Sequence, residues 1–242
     1  DRSPSRGLGD VYKRQAAHHA AQDPALQVRC AGVEDAAPSG AAPSITYVHA
    51  SAEALRDAGR TYDVVTAMEV IEHVNEPASF LRCLADLIQV RCSADLTQPG
   101  GHLFLSTMSR TALSYFLTIF LAEDMLGVVS RGTHRHAQYI HPHEMVGFFR
   151  ELGWIRPPDM ARRERLPDGA PIAPVPPRLQ FETRGTMYVP VLGQWVLARP
   201  SVADANATGA PPAHRWLPEW LGGGMRPTEL CNYFFWVRKP LD

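Results

Sequence analysis

The chain has 242 residues, 45% of them hydrophobic, which is enough for a domain with a sizeable buried core. A formal net charge of −1 leaves no basic footprint of the kind a nucleic-acid-binding surface carries. No apolar run approaches the roughly 18 residues that span a bilayer as a helix, and no secretory signal is visible.

Residues 1–15, DRSPSRGLGDVYKRQ, show neither helical nor strand periodicity and are expected to be a non-native or disordered leader. QAAHHAAQ (15–22) is alanine-rich and helix-prone, and Asp23-Pro24 should end it. Residues 32–44 have loop composition. ITYVHA, Ile45 to Ala50, is β-branched and aromatic and predicts a short strand, with one or two helical turns over Ala52 to Ala58. YDVVTAME, Tyr62 to Glu69, is a stronger strand whose apolar run suits burial on both faces of a parallel sheet. Pro77 to Gln89 is amphipathic at helical spacing, with Pro77 in the first turn.

A polar stretch follows at 90–98, then Pro99-Gly100-Gly101 turns the chain into a buried strand, His102 to Met108. Strand, helix, glycine turn and strand make a βαβ unit, which predicts an α/β fold with a parallel sheet. Two helices are expected next, Leu113 to Val129 and His143 to Leu152. Proline-rich loops near 157–180 and 199–215 flank TMYVPVLGQWVLA (186–198), and Cys231 to Arg238 forms a last strand. The cysteines Cys30, Cys83, Cys92 and Cys231 make no CxxC pair and are expected to be reduced thiols.

Glu69, Glu72 and His73 are spaced i, i+3, i+4, so one helical turn would set them on a common face. They lie just past the carboxyl end of a predicted buried strand, where open α/β sheets bind ligands. The three side chains suit a divalent cation, magnesium rather than zinc because oxygen donors dominate. The alternative is that acidic residues simply favour a helix start. His73 is open to a second role, that of a base. Leu113 to Val129 is apolar nearly all round except Glu123 and Asp124. It is either a buried helix or one that dips into a membrane face, with Tyr115, Phe116 and Phe120 as anchors.

Several phrases resemble the ubiquinone-biosynthesis O-methyltransferases, a family of class I S-adenosylmethionine-dependent enzymes. They are MEVIEHV (68–74), PGG (99–101) and the stretch from Leu105 through His134, with Ser109-Arg110 and Ser114-Tyr115 followed by Arg131-Gly132-Thr133-His134. GTMYVPVLGQW (185–195) and NYFFWV (232–237) resemble that family's last two strands. The resemblance implies a three-layer α/β sandwich around a mostly parallel, seven-stranded-type sheet. It implies methyl transfer from S-adenosylmethionine to a hydroxyl of a polyprenylated dihydroxybenzoate or benzoquinol, and dependence on a metal at Glu69, Glu72 and His73. Met68 would contact the cofactor, Ser51, Ala52 and Glu53 would lie near its adenine, and His134 would line the substrate pocket or act in catalysis.

The family's opening strand, its GxGxG loop and its second strand with a terminal acidic residue have no match here. The expectation is therefore a partial domain over 16–242, with insertions near 90–98, 157–180 and 199–215. On that expectation these residues alone hold S-adenosylmethionine no tighter than about 1 mM, roughly 4 kcal/mol. The resemblance also implies a lipid substrate, a membrane surface and a ubiquinone-synthesis complex as partners, and no nucleic acid. The location would be the matrix side of the mitochondrial inner membrane, or the cytoplasmic membrane of a bacterium. Two other functions stay open: a methyltransferase for another small phenol, and a catalytically silent chain that binds lipid or partner proteins.

Overall fold

The computed structural model describes residues 27–30, 44–89, 100–127, 129–156, 180–189, 194–198 and 229–240. The predicted leader, the 15–22 helix and nearly all of the three predicted insertions lie outside them. The chain forms two units, residues 1–61 and 62–242. In the first, β1 (Gln27–Cys30) pairs in parallel with β2 (Ser44–Tyr47). The helix α1 (Ala52–Asp57) starts where Ser51 Oγ accepts the Ala54 N–H at 3.2 Å. The predicted strand Ile45 to Ala50 thus begins one residue earlier and ends at Tyr47. β1 had no counterpart in the sequence expectations.

The second unit is built on a five-stranded sheet in the order β3-β4-β7-β5-β6. Its strands are β3 (Val64–Met68), β4 (His102–Met108), β5 (Phe181–Val189), β6 (Gln194–Leu197) and β7 (Asn232–Arg238). Only β3 and β4 are parallel neighbours; β4–β7, β7–β5 and β5–β6 are antiparallel. The mostly parallel, seven-stranded sheet expected from the sequence is therefore not what the described residues form; the sheet is mixed. The reason is the placement of β7, which enters between β4 and β5 and runs against both.

Alternation makes one face of this sheet the core. Leu103, Leu105 and Thr107 of β4 stand opposite Val237, Phe235 and Tyr233 of β7, and all six are essentially inaccessible. Helix α4 (Pro142–Glu151) closes on this face, with Phe149 stacked on Phe235 at 5.5 Å. Helix α2 (Pro77–Asp86) buries Leu81, Cys83, Leu84 and Ala85. It ends earlier than expected because Ile88 leaves the helix to bridge Tyr62. Lys239 Nζ donates to the carbonyls of Ala85 and Ile88 at 3.0 and 2.9 Å, placing a cation at the carboxyl end of α2. Between Ala112 and Met125 a three-residue α-turn, α3 (Ala112–Ser114), runs directly into a π-helix (Tyr115–Met125).

The glycine pair before β4 has two separate physical reasons. Gly100 sits at φ 120°, closed to a side chain. Gly101 passes so near α2's exit that a Cβ would fall 2.1 Å from Ile88 Cγ2 and 2.6 Å from the Gln89 carbonyl. Gly101→Ala should accordingly cost about 1–3 kcal/mol through overpacking, visible as a lower urea midpoint with an unchanged slope.

Candidate active site at the carboxyl ends of β3 and β4

β3 ends at Met68, and Glu69 leaves the sheet at φ 52°, a conformation that non-glycine residues rarely take and that clusters at functional sites. β4 holds it there. The Glu69 N–H donates to the carbonyl and the hydroxyl of Ser106, at 3.1 and 3.0 Å, and Ser106 Oγ donates back to Glu69 Oε1 at 2.7 Å. A 3₁₀ turn, Ile71–His73, then carries Glu72 inward until it is 2% exposed. Thr107 Oγ1 donates to its Oε2 at 2.9 Å, while Oε1 is buried with no hydrogen-bond partner among the described residues. Burial, with the Glu69 carboxylate alongside, pushes the Glu72 carboxyl up to about 7.

A second cluster lies on the loop after the π-helix. Glu123 of that helix is 3% exposed. It accepts the Gly132 and His134 N–H groups at 2.7 and 2.8 Å and meets His134 Nδ1 at 2.7 Å. Burial alone would raise its pKa; these donors reverse that and hold the carboxyl below the usual range. The His134 ring lies 5.8 Å from that of His73 and meets Tyr139 edge-on at 6.3 Å. The Tyr139 hydroxyl bonds Thr118 Oγ1 at 2.7 Å, and burial pushes it up to about 12, so it stays a neutral phenol. A cavity of about 360 Å³ adjoins, walled by Val74, Leu81, Ile140, Met145 and Phe148 together with the Arg110–Glu144 ion pair.

The expected site residues are thus partly regrouped. Glu69, Glu72 and His73 do not share a helical face. The left-handed Glu69 and the tight 3₁₀ turn send Glu69 and Glu72 to β4, and His73 faces outward beside His134. Among the described residues no three His, Cys, Asp or Glu side chains are gathered for a metal ion. Met68 is 41% exposed at the carboxyl end of β3. Ser51, Ala52 and Glu53 belong to the first unit, where the Ser51 side chain caps α1. Sequence reasoning did not single out Ser106, Thr107 or Tyr139, and it named Glu123 only as a break in an apolar run. The signal for Glu123 was a lone carboxylate in that run, shortly before the Gly-Thr-His turn.

Residues 13–154 match the model of a methyltransferase domain family, and the chain belongs to that family. Among characterised proteins it is similar to the ubiquinone biosynthesis O-methyltransferase, mitochondrial, of Schizosaccharomyces pombe, with 30% identity over 94% of this chain and 57% of the relative. It is also similar to the ubiquinone biosynthesis O-methyltransferases of Ralstonia nicotianae, with 43% identity over 46% of this chain and 43% of the relative, and of Vibrio cholerae, with 41% identity over 42% and 38%. The chain therefore spans about half the length of these relatives.

Glu72 binds its proton more tightly folded than unfolded, since its pKa rises from 4.5 to about 7. Its contribution to stability is fully present below the unfolded value and is lost as pH rises through the folded one. In chelator, the urea midpoint of the parent chain should fall across that window relative to Glu72→Gln, which lacks the titration. Parallel pH curves for the two chains would contradict this.

Proposed function

We propose that this chain carries the catalytic residues of an S-adenosylmethionine-dependent O-methyltransferase that methylates a hydroxyl of a polyprenylated dihydroxybenzoate or benzoquinol in ubiquinone synthesis. The observation that carries the reading is the grouping of Met68, the Glu69–Glu72 pair and two histidines at the carboxyl ends of parallel β3 and β4, in a methyltransferase-family chain. The similarity to the Schizosaccharomyces pombe protein, over 94% of this chain and 57% of that relative, supports the substrate class. The exposed thioether of Met68 fits a contact with the cofactor. The cofactor supplies an electrophilic methyl group. The chain's residues must help remove the proton of the substrate hydroxyl, since a phenol's pKa is about 10.

The carboxylate pair fits a hard cation. Glu72 Oε1 has no hydrogen-bond partner among the described residues, and a positive ion would relieve the repulsion between the two carboxyls. Magnesium is held by as few as one or two carboxylates, with water and substrate filling the other positions. Glu69 and Glu72 would be its protein ligands, and it would favour the phenolate. His73 is better placed as a neighbour of His134 than as a ligand.

The π-helix supports a membrane-facing role because its polarity is inverted. Ser114, Thr118 and Glu123 turn inward: Ser114 bonds the Ser109 carbonyl, Thr118 bonds Tyr139, and Glu123 bonds the His134 loop. Tyr115, Phe116, Phe120, Met125 and Leu126 turn outward, with Phe116 and Phe120 stacked at 5.5 Å. No helix among the described residues is long and apolar enough to cross a membrane. Shallow insertion would deliver the isoprenoid substrate, whose tail suits the apolar wall of the adjoining cavity. The site of action would be the matrix face of the mitochondrial inner membrane, or a bacterial cytoplasmic membrane, within reach of a ubiquinone-synthesis complex.

The full-length gene product should transfer methyl from S-adenosylmethionine to a polyprenyl dihydroxybenzoate, read by mass spectrometry. EDTA or Glu69→Gln should slow it on the order of 100-fold, with magnesium restoring the chelated enzyme. Full activity in EDTA would remove the cation, and methylation confined to short soluble phenols would remove the lipid substrate. Phe116→Asp with Phe120→Asp should abolish flotation with liposomes while leaving the melting temperature nearly unchanged, because both rings are already half exposed. A collapsed melting temperature would make the helix part of the core.

A further inference from the structure

A buried carboxylate needs partners, because an unpaired charge out of water costs several kcal/mol. Glu123 has three donors, and two of them, the Gly132 and His134 backbone N–H groups, would suffice to staple the loop. The third fixes the state of a side chain. An ionised carboxylate only accepts, so His134 Nδ1, 2.7 Å from Oε1, must carry the hydrogen. Nε2 is then left with its lone pair, and it makes no hydrogen bond among the described residues. The ring is 15% exposed, oriented between His73 and Tyr139 yet open to a small reactant. His73 is more exposed, and its side chain makes no hydrogen bond among the described residues.

We infer that Glu123 is a positioning residue that locks His134 in the Nδ1–H tautomer and presents Nε2 as the base that removes the substrate hydroxyl's proton. This rests on the O-methyl transfer proposed above. As the phenolic oxygen bonds to the methyl carbon, the carbon–sulfur bond breaks and its electron pair stays on sulfur, which becomes neutral. The hydroxyl proton passes to Nε2. The imidazolium so formed faces the negative Glu123, which stabilises it until the proton leaves to solvent. Among the described residues His73, from the 3₁₀ turn, and Tyr139, which stays neutral, also face the ring.

The test begins with the [15N]histidine-labelled 242-residue chain in long-range proton–nitrogen spectra across a pH series. Neutral His134 should appear as the Nδ1–H tautomer, and Glu123→Gln should remove that preference, because a neutral amide side chain both donates and accepts. In the full-length protein Glu123→Gln should lower kcat on the order of 100-fold with KM little changed. Adding it to His134→Gln should cost nothing further, because the two side chains act as a unit. An Nε2–H tautomer in the parent, an unchanged tautomer in Glu123→Gln or multiplying losses would overturn the inference. If Glu123→Gln does not fold, His134→Gln, which leaves the backbone bonds to Glu123 intact, must itself lose kcat or the inference fails. An active parent whose Glu123→Gln variant keeps full kcat removes only the positioning role. A parent that methylates no phenol at all removes the methyltransferase reading, and with it any base.

Discussion

Ser106 and Thr107, neighbours on β4, each donate a hydroxyl to one carboxylate of the segment that leaves β3. Successive residues of a strand point to opposite faces. The pair of hydroxyls therefore grips that segment on both sides of the sheet, Glu69 above the open face and Glu72 within the core. The grip offsets two unfavourable states, a left-handed Glu69 and a carboxyl sunk beside another carboxyl. Each would cost on the order of 1–3 kcal/mol if left unsupported. A fold that keeps both is holding negative charge in place where an open α/β sheet takes its ligand.

The same end of the sheet is tied down from the far end of the chain. Asn232 reaches Glu69 Oε2 at 3.5 Å, the Cys231 carbonyl takes the Ser109 N–H, and Tyr233 donates to the Ile140 carbonyl. The antiparallel β7 is thus more than a sheet-filling strand. It sits between β4 and β5 so that residues about 160 positions apart in sequence meet around one carboxylate, which rigidifies the site beyond what the βαβ unit alone provides.

How much of this was legible in the sequence follows from range. Elements set by local patterning came through with shifted ends: β4 over His102–Met108, α2 from Pro77, α4 one residue earlier than expected, and β7 from Asn232. The glycine turn was legible as a turn, whereas the close approach of Ile88 that requires Gly101 was not. The mixed sheet order was not legible either, since alternation gives a strand and not its neighbour. The i, i+3, i+4 spacing of Glu69, Glu72 and His73 suggested a shared helical face. That inference failed because backbone conformation at a single residue, Glu69, decides where the next turn points. Glu123 stood out by composition, but its partner could be known only once the loop had folded back.

The π-helix joins these levels. Wider winding, with the Leu126 N–H reaching the Leu121 carbonyl, carries Thr118 and Glu123 inward on the same side as Ser114, the last residue of α3. Such segments recur at functional sites, and here each inward group meets a different part of the unit: the Ser109 carbonyl, the Tyr139 hydroxyl and the His134 loop. A helix whose outward face is aromatic thus holds, on its inner face, the carboxylate that orients an imidazole. The chain from β4 enters this helix through Ser109 and Ser114, so β4, the helix and the His134 loop are joined by hydrogen bonds at both ends of the helix.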